Sequence, residues 1–168
     1  TITNDDEVEA KHYPYHHLVI NLLRPFLERA KIKVVQLGGK SRIEGVHTAL
    51  NLSFKQKSFI LSRSLLHLGP DGAMNHLASA KKVPTVSLFG NTFPTVNRPL
   101  FSAAALNINL APKWNKKPCL GAHDDQKQIT SIKPEVIAQS VLDLLDIEKE
   151  VVNFHTRHVG KNFLERVV

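Results

Sequence analysis

The sequence predicts an α/β fold, a parallel sheet with helices packed on both faces. Three observations carry that prediction. Short apolar runs alternate along the chain with stretches of helical periodicity. The runs are almost uniformly apolar, as suits strands covered on both sides. One stretch, Leu65 to Gly90, reads as a complete strand–turn–helix–strand unit. The right-handed crossover rule then makes a Rossmann-like topology the natural arrangement.

Residues 1–12 are polar, acidic and then basic, and read as a loop or linker, with residues 1–14 lying outside the folded unit. From Tyr15 to Ala30, Leu18, Leu22, Leu23, Phe26, Leu27 and Ala30 fall at helical spacing, and Pro25 should kink or divide that helix. Lys33–Leu37 is a strand stopped by Gly38-Gly39. Ser41-Arg42-Ile43-Glu44 has the capping-box form and predicts a helix toward Leu50. Ser58 can cap a short helix through Arg63.

In the central unit, Leu65–Leu68 is a buried strand and Gly69-Pro70-Asp71-Gly72 turns the chain. A helix follows, closed by Lys81 and Lys82 at the negative end of its dipole. Val83-Pro84 restarts the chain into a strand over Thr85–Phe89. Asn91–Ala104 is a long loop rich in Pro, Thr and Asn, a common location for binding residues. Ala105–Leu110 is a strand, and Ala111–Ser131 a second long loop. Pro134 opens an amphipathic helix that ends near Asp146. Residues 15–147 form the Rossmann-like domain, and residues 148–168 a partly helical tail.

The chain's 168 residues suffice for one domain with a real core. Its net charge of +7 points to anionic partners, but the basic residues are scattered. No basic helix or aromatic-studded strand is present, so nucleic acid is not expected. Cys119 is the only cysteine, which rules out an internal disulfide and fits a reducing compartment. There is no signal peptide and no apolar run of membrane-spanning length, so a cytoplasmic protein is expected. Thr1 at the start and Val167-Val168 at the end, with no initiating Met, suggest a piece of a longer chain.

The turn after the Leu65–Leu68 strand delivers a helix amino terminus to the carboxyl end of a strand, where anionic ligands bind in parallel α/β sheets. Gly72 and Ala73 carry little bulk, so a phosphate could approach their amides. Asp71 can cap the helix, or orient the turn, a sugar hydroxyl or a metal. His76 lies one turn into the same helix and can face the same opening, or serve only the structure. Gly38 and Gly39 sit at a ligand-facing edge or simply end their strand. Glu44 is a site residue or only the partner of Ser41. Lys113, Lys116 and Lys117 form a solvated loop in which Trp114 could cover a nucleotide or an acceptor sugar. The nine histidines contain no metal-binding motif, no nucleophile elbow or P-loop is present, and neither metal nor cofactor is expected.

These residues resemble the carboxyl-terminal domain of glycosyltransferase family 9, the heptosyltransferase-like enzymes. The family pattern is an apolar strand, Asp-(Ser/Thr)-Gly-x-x-His-Leu-Ala-x-Ala, and a Pro-led strand ending in Phe/Tyr-Gly. Asp71, His76, Leu77, Ala78, Ala80, Pro84, Phe89 and Gly90 match it in order and spacing. Ala10–Pro14 resembles the family's Lys-x-Trp-Pro segment, and Leu37-Gly38-Gly39 with Glu44 its strand-end glycines and acidic residue. Cys119 and Ile132–Val136 resemble its late Cys and Ile-x-Pro-Glu-x-Val helix, so the resemblance spans roughly residues 10 to 147. The chain departs from the pattern at Gly72, Ala73 and Tyr13, where the family carries Ser/Thr, Gly and Trp.

The resemblance implies one half of a GT-B fold, and a chain that is the donor-binding domain of an inverting hexosyl- or heptosyltransferase acting on a bacterial glycan such as lipopolysaccharide. It implies a nucleotide-diphosphate sugar as partner and no obligatory metal. Lys11 would contact donor phosphate, Glu44 the ribose, and the Gly72 and Ala73 amides the diphosphate, with Asp71 and His76 shaping the site. Acceptor and catalytic base would belong to an amino-terminal domain, so this chain alone should be inactive. Work on such a glycan implies peripheral association with the inner face of the membrane. The other reading is a non-catalytic interaction or regulatory module that kept the scaffold.

Overall fold

Short parallel strands form the sheet, and the first of them comes from an unexpected place. The computed structural model describes residues 1–4, 11–38, 42–112 and 127–146. The features expected at Gly39 and Ser41, at Lys113, Trp114, Lys116, Lys117 and Cys119, and in the tail after residue 147 lie outside those residues. Strand β1 (Val35–Leu37) pairs in parallel with β2 (His47–Ala49). Strand β3 (His67–Pro70) pairs in parallel with β4 (Thr85–Leu88), and β4 with β5 (Asn107–Leu110).

Residues 1–3 join the two groups. Ile2 bridges Gln36 on one side and Leu68 on the other. Its N–H donates to Val35 O and its carbonyl accepts from Leu37 N, both at 2.9 Å. On the opposite edge Thr3 N donates to Leu68 O, and Leu68 N to Thr1 O, again at 2.9 Å. The loop expected over residues 1–12 is therefore corrected at its start. Counted from that segment, the spatial order is 3-2-1-4-5-6, the doubly wound arrangement. Its topological switch point lies between residues 1–3 and β3.

Successive strand residues face opposite sides: Val34 packs into one apolar cluster and Val35 into another. On the first face, helices α1 (His16–Arg29) and α6 (Pro134–Leu145) pack together over Ile2, Leu66, Leu68, Val86 and Leu88. On the second, α2 (Phe54–Leu61) and α3 (Ala73–Ala80) enclose Leu37, Leu61, Ala78 and Val83. Each fully buried aliphatic side chain contributes about 1.5–3 kcal/mol. The second face is not the uniformly apolar surface expected, because His67, Thr85 and Ser87 are fully buried between Leu68, Val86 and Leu88. His67 bonds Thr1 Oγ1 through Nδ1 (3.1 Å) and Thr3 Oγ1 through Nε2 (3.3 Å). Gly69 is required here, since a β-carbon would overlap Thr3 Oγ1.

Other expectations also change. Helix α1 runs undivided through Pro25, and Leu18 and Leu22 face outward while Val19, Ile20 and Leu23 supply the core. No helix forms over residues 42–50. Ile43 N donates to Gln36 Oε1 (2.9 Å), Gly45 turns the chain at φ +78°, and β2 follows. The capping box belongs to α2, where Ser53 Oγ accepts from Gln56 N and Gln56 Oε1 accepts from Ser53 N. Ser58 lies inside that helix. The loop after β4 contains a short helix, α4 (Pro94–Asn97), and a 3₁₀ turn precedes β5. A further short helix, α5 (Lys127–Thr130), carries the buried Ile129 and is followed by the buried Ile132. Among the described residues no helix is long and apolar enough to cross a membrane.

Candidate functional site

The carboxyl end of β3 and the segment following residues 1–4 meet at the switch point. Asp71 stays in register with the sheet, its N–H donating to Leu88 O at 2.9 Å. This moves the helix cap one residue on. Gly72, in extended backbone, is the N-cap, its carbonyl accepting from Asn75 N (3.1 Å) and His76 N (3.4 Å), with no side chain bonded to the helix amides. Asp71 is therefore not the cap. Its buried Oδ2 accepts from Thr92 Oγ1 at 2.7 Å and Asn97 Nδ2 at 3.3 Å. Lys11 Nζ stands 4.0 Å from the same oxygen.

The result is a helix amino terminus open for use. The amides of Gly72, Ala73 and Met74 have no intrahelical acceptor, and the positive end of the α3 dipole lies at the carboxyl end of β3. A β-carbon on Gly72 would meet nothing closer than Pro70 O at 3.8 Å, and Ala73 is exposed. His76 is half-buried on the same helix. Asn75 fixes the helix to the strand end, its Nδ2 donating to Gly69 O (3.2 Å) and Pro70 O (3.0 Å).

Lys11 is positioned by the fully buried Tyr13. The Tyr13 hydroxyl donates to Ile132 O at 2.7 Å, and its N–H donates to Asn4 Oδ1 at 3.1 Å. Asn4 Nδ2 also lies 3.1 Å from His12 Nδ1. Burial pushes the Tyr13 phenol well above its ordinary range, with Glu135 and Tyr15 adding to the shift, so it remains a donor. The Tyr13 ring meets Tyr15 and His16 edge-on.

The structure thus brings Lys11 to Asp71, next to Gly72 and Ala73 at the start of the helix that carries His76. Gly38 lies at the carboxyl end of β1, in the left-handed region at φ +80°. A β-carbon there would come within 3.2 Å of Lys57 Nζ, which stands at that strand end. Gly39 lies outside the described residues, and Glu44 sits exposed in the turn before β2, with no described contact to Asp71. Sequence reasoning missed Asn75, Thr92, Asn97 and Lys57. Asn75 carried a usable signal, a polar residue on the sheet-facing side of a short apolar helix; Thr92 and Asn97 lay in the loop already marked as suited to binding. Among the described residues no three His, Cys, Asp or Glu side chains are grouped to hold a metal ion.

A cavity of about 580 Å³ opens at the other end of the strands, lined by Ile20, Leu27, Leu66, Val141 and Leu145 among others. Its surface is mainly apolar, with Lys31, Lys33 and Arg63 also lining it, and it includes none of the residues around Asp71. The α3 amino terminus, with its free amides and with Lys11 near Asp71, can attract an anion.

Comparison with known proteins decides the lineage. The model of glycosyltransferase family 9 (heptosyltransferase) matches residues 28–130, more than half of the chain. The chain belongs to glycosyltransferase family 9. No curated protein matches it. Among solved structures, the family 9 glycosyl transferase from Veillonella parvula DSM 2008 superposes with a TM-score of 0.63 at 18% identity, covering 88% of this chain and 46% of that one. The E. coli ADP-heptose lipopolysaccharide heptosyltransferase II gives 0.63 at 16% identity, over 86% and 45%. The E. coli heptosyltransferase WaaC with ADP gives 0.61 at 13%, over 85% and 43%. These likenesses establish the fold, that of the GT-B glycosyltransferases. The family 9 chain spans less than half the length of these three structures.

Proposed function

We propose that this family 9 chain is the donor-binding half of an inverting glycosyltransferase. It holds a nucleotide-diphosphate sugar at the switch point and serves transfer to a bacterial glycan such as lipopolysaccharide. One observation carries the reading: an uncapped helix amino terminus at the end of β3, with Lys11 beside it. Both favour a diphosphate. As the glycosidic bond to the donor breaks, the departing nucleoside diphosphate gains negative charge. Fixed amide dipoles at Gly72 and Ala73 and the Lys11 ammonium are worth more to that charge than to the ground state. On this reading Asp71 and His76 shape the pocket, and Gly38, Gly39 and Glu44 serve the nucleoside.

The acceptor and the base that activates it belong, on this reading, to an amino-terminal domain, and the chain alone transfers no sugar. Such an enzyme works in the cytoplasm at the inner face of the membrane. Support for the nucleotide-sugar partner comes from relatives described with ADP or ADP-heptose. The test is calorimetric titration of the folded chain with ADP-, GDP- and UDP-sugars. Binding of one of them in the micromolar to millimolar range is expected; none at millimolar concentration refutes the reading. Gly72, standing where the family pattern has a hydroxyl, favours a second reading, a non-catalytic module. That reading gains if every titration is silent while the chain melts cooperatively.

A further inference from the structure

Asp71 poses a problem for any phosphate site, because it places a carboxylate beside the opening. The way it is held suggests what it does. We infer that Thr92 and Asn97 are positioning residues that keep the Asp71 carboxylate satisfied, so that Lys11 stays free to engage a diphosphate. The inference rests on the donor-site reading above.

Three donors converge on Asp71 Oδ2, and their distances are unequal. Thr92 Oγ1 lies at 2.7 Å and Asn97 Nδ2 at 3.3 Å, both from the connection after β4. Lys11 Nζ lies at 4.0 Å, the outer limit of an ion pair, and comes from the segment after residues 1–4. The two neutral donors carry the hydrogen bonding of that oxygen, and the ammonium is held near it without being committed. A buried carboxylate that loses a donor must recover one. With the Thr92 hydroxyl gone, Lys11 is the group within reach, and a Lys11 drawn onto Asp71 is withdrawn from phosphate. The β4–β5 connection thereby tunes a phosphate site through Asp71, and its effect is confined to the charged part of the ligand. An uncharged nucleoside should not sense it.

The test titrates the chain with ADP, with GDP and UDP in parallel, and with the corresponding nucleosides followed by ligand-observed NMR. Thr92→Val should weaken the diphosphate that wild type binds by about 3- to 10-fold and leave its nucleoside unchanged. Thr92→Ser, which keeps the hydroxyl, should bind the diphosphate within about twofold of wild type, allowing for the small change in packing. Asn97→Ala, at a half-buried position, should weaken it in the same direction and serves if Thr92→Val does not fold. Unchanged diphosphate affinity in the folded variants overturns the inference alone. So does an equal loss for diphosphate and nucleoside, which marks a purely structural role. A wild-type chain that binds no nucleotide refutes the donor-site reading and this inference with it.

Discussion

Gly72→Asp separates the binding role of the α3 amino terminus from its architectural role, because the two predict opposite signs. The backbone at Gly72 is extended, at φ 170° and ψ −176°, a conformation any residue adopts. The new β-carbon meets only Pro70 O at 3.8 Å, so the side chain fits. An aspartate at an uncapped N-cap accepts from the helix amides and improves on glycine by a few tenths of a kcal/mol. The melting temperature should therefore hold or rise by about 1 °C. Binding should move the other way. The carboxylate occupies the amides that would serve the phosphate, removing about 0.3–1 kcal/mol of dipole interaction. It also adds repulsion of about 1 kcal/mol per phosphate charge at 4 Å in a water-like medium, with two such charges present. The total of about 2–3 kcal/mol corresponds to about 30- to 150-fold weaker binding. Calorimetry with the tightest-binding nucleoside diphosphate, beside a thermal melt, measures both. A stable variant with unchanged affinity would place the phosphate elsewhere and refute the reasoning.

Two further predictions concern stability. Burial holds the His67 imidazole down at about 3. The unfolded chain, titrating near 6.5, binds a proton that the folded chain refuses, so this stabilisation is complete above about pH 6.5 and is lost as pH falls toward 3. Urea midpoints should report a loss of about 2 kcal/mol between pH 7 and 5, and His67→Gln should flatten that slope; an equal slope in the variant refutes the assignment. Lys82 ends α3 in the left-handed region at φ +59°, with Val83 N bonded back to Ala78 O at 2.9 Å. Lys82→Gly should raise stability by about 0.5–1 kcal/mol in the same assay, because glycine takes this conformation without the side-chain penalty. A loss of stability would show that the Lys82 side chain matters more than its backbone.

The strand–turn–helix–strand unit was legible because its signals are local: an apolar run, a Gly-Pro break and a helical repeat within 26 residues. The region before β2 was not. Its Ser41–Glu44 pattern is short, and the real outcome depends on Gln36, a residue on another strand, and on Gly45. In the sequence reading Asp71 was given the wrong local partner. A cap and a loop anchor look alike in sequence, and only the pairing of its N–H with Leu88 shifts the cap to Gly72. Thr92 and Asn97 could not be tied to Asp71 at all, since 21 and 26 residues separate them from it. The resemblance supplied the roles of Lys11 and Glu44. The structure brings Lys11 to Asp71 and leaves Glu44 in an exposed turn.

Residues 1–3 are few, yet they govern how the sheet meets its surroundings. With them in place, β1 and β3 are interior, and among the described residues the edges of the sheet fall to β2 and β5. A version of the chain begun at residue 4 would turn two buried, apolar strands into facing open edges. Such edges recruit whatever extended segment is at hand, and they are a recognised route to self-association. Loss of these three residues is thus a change in solubility as much as in stability.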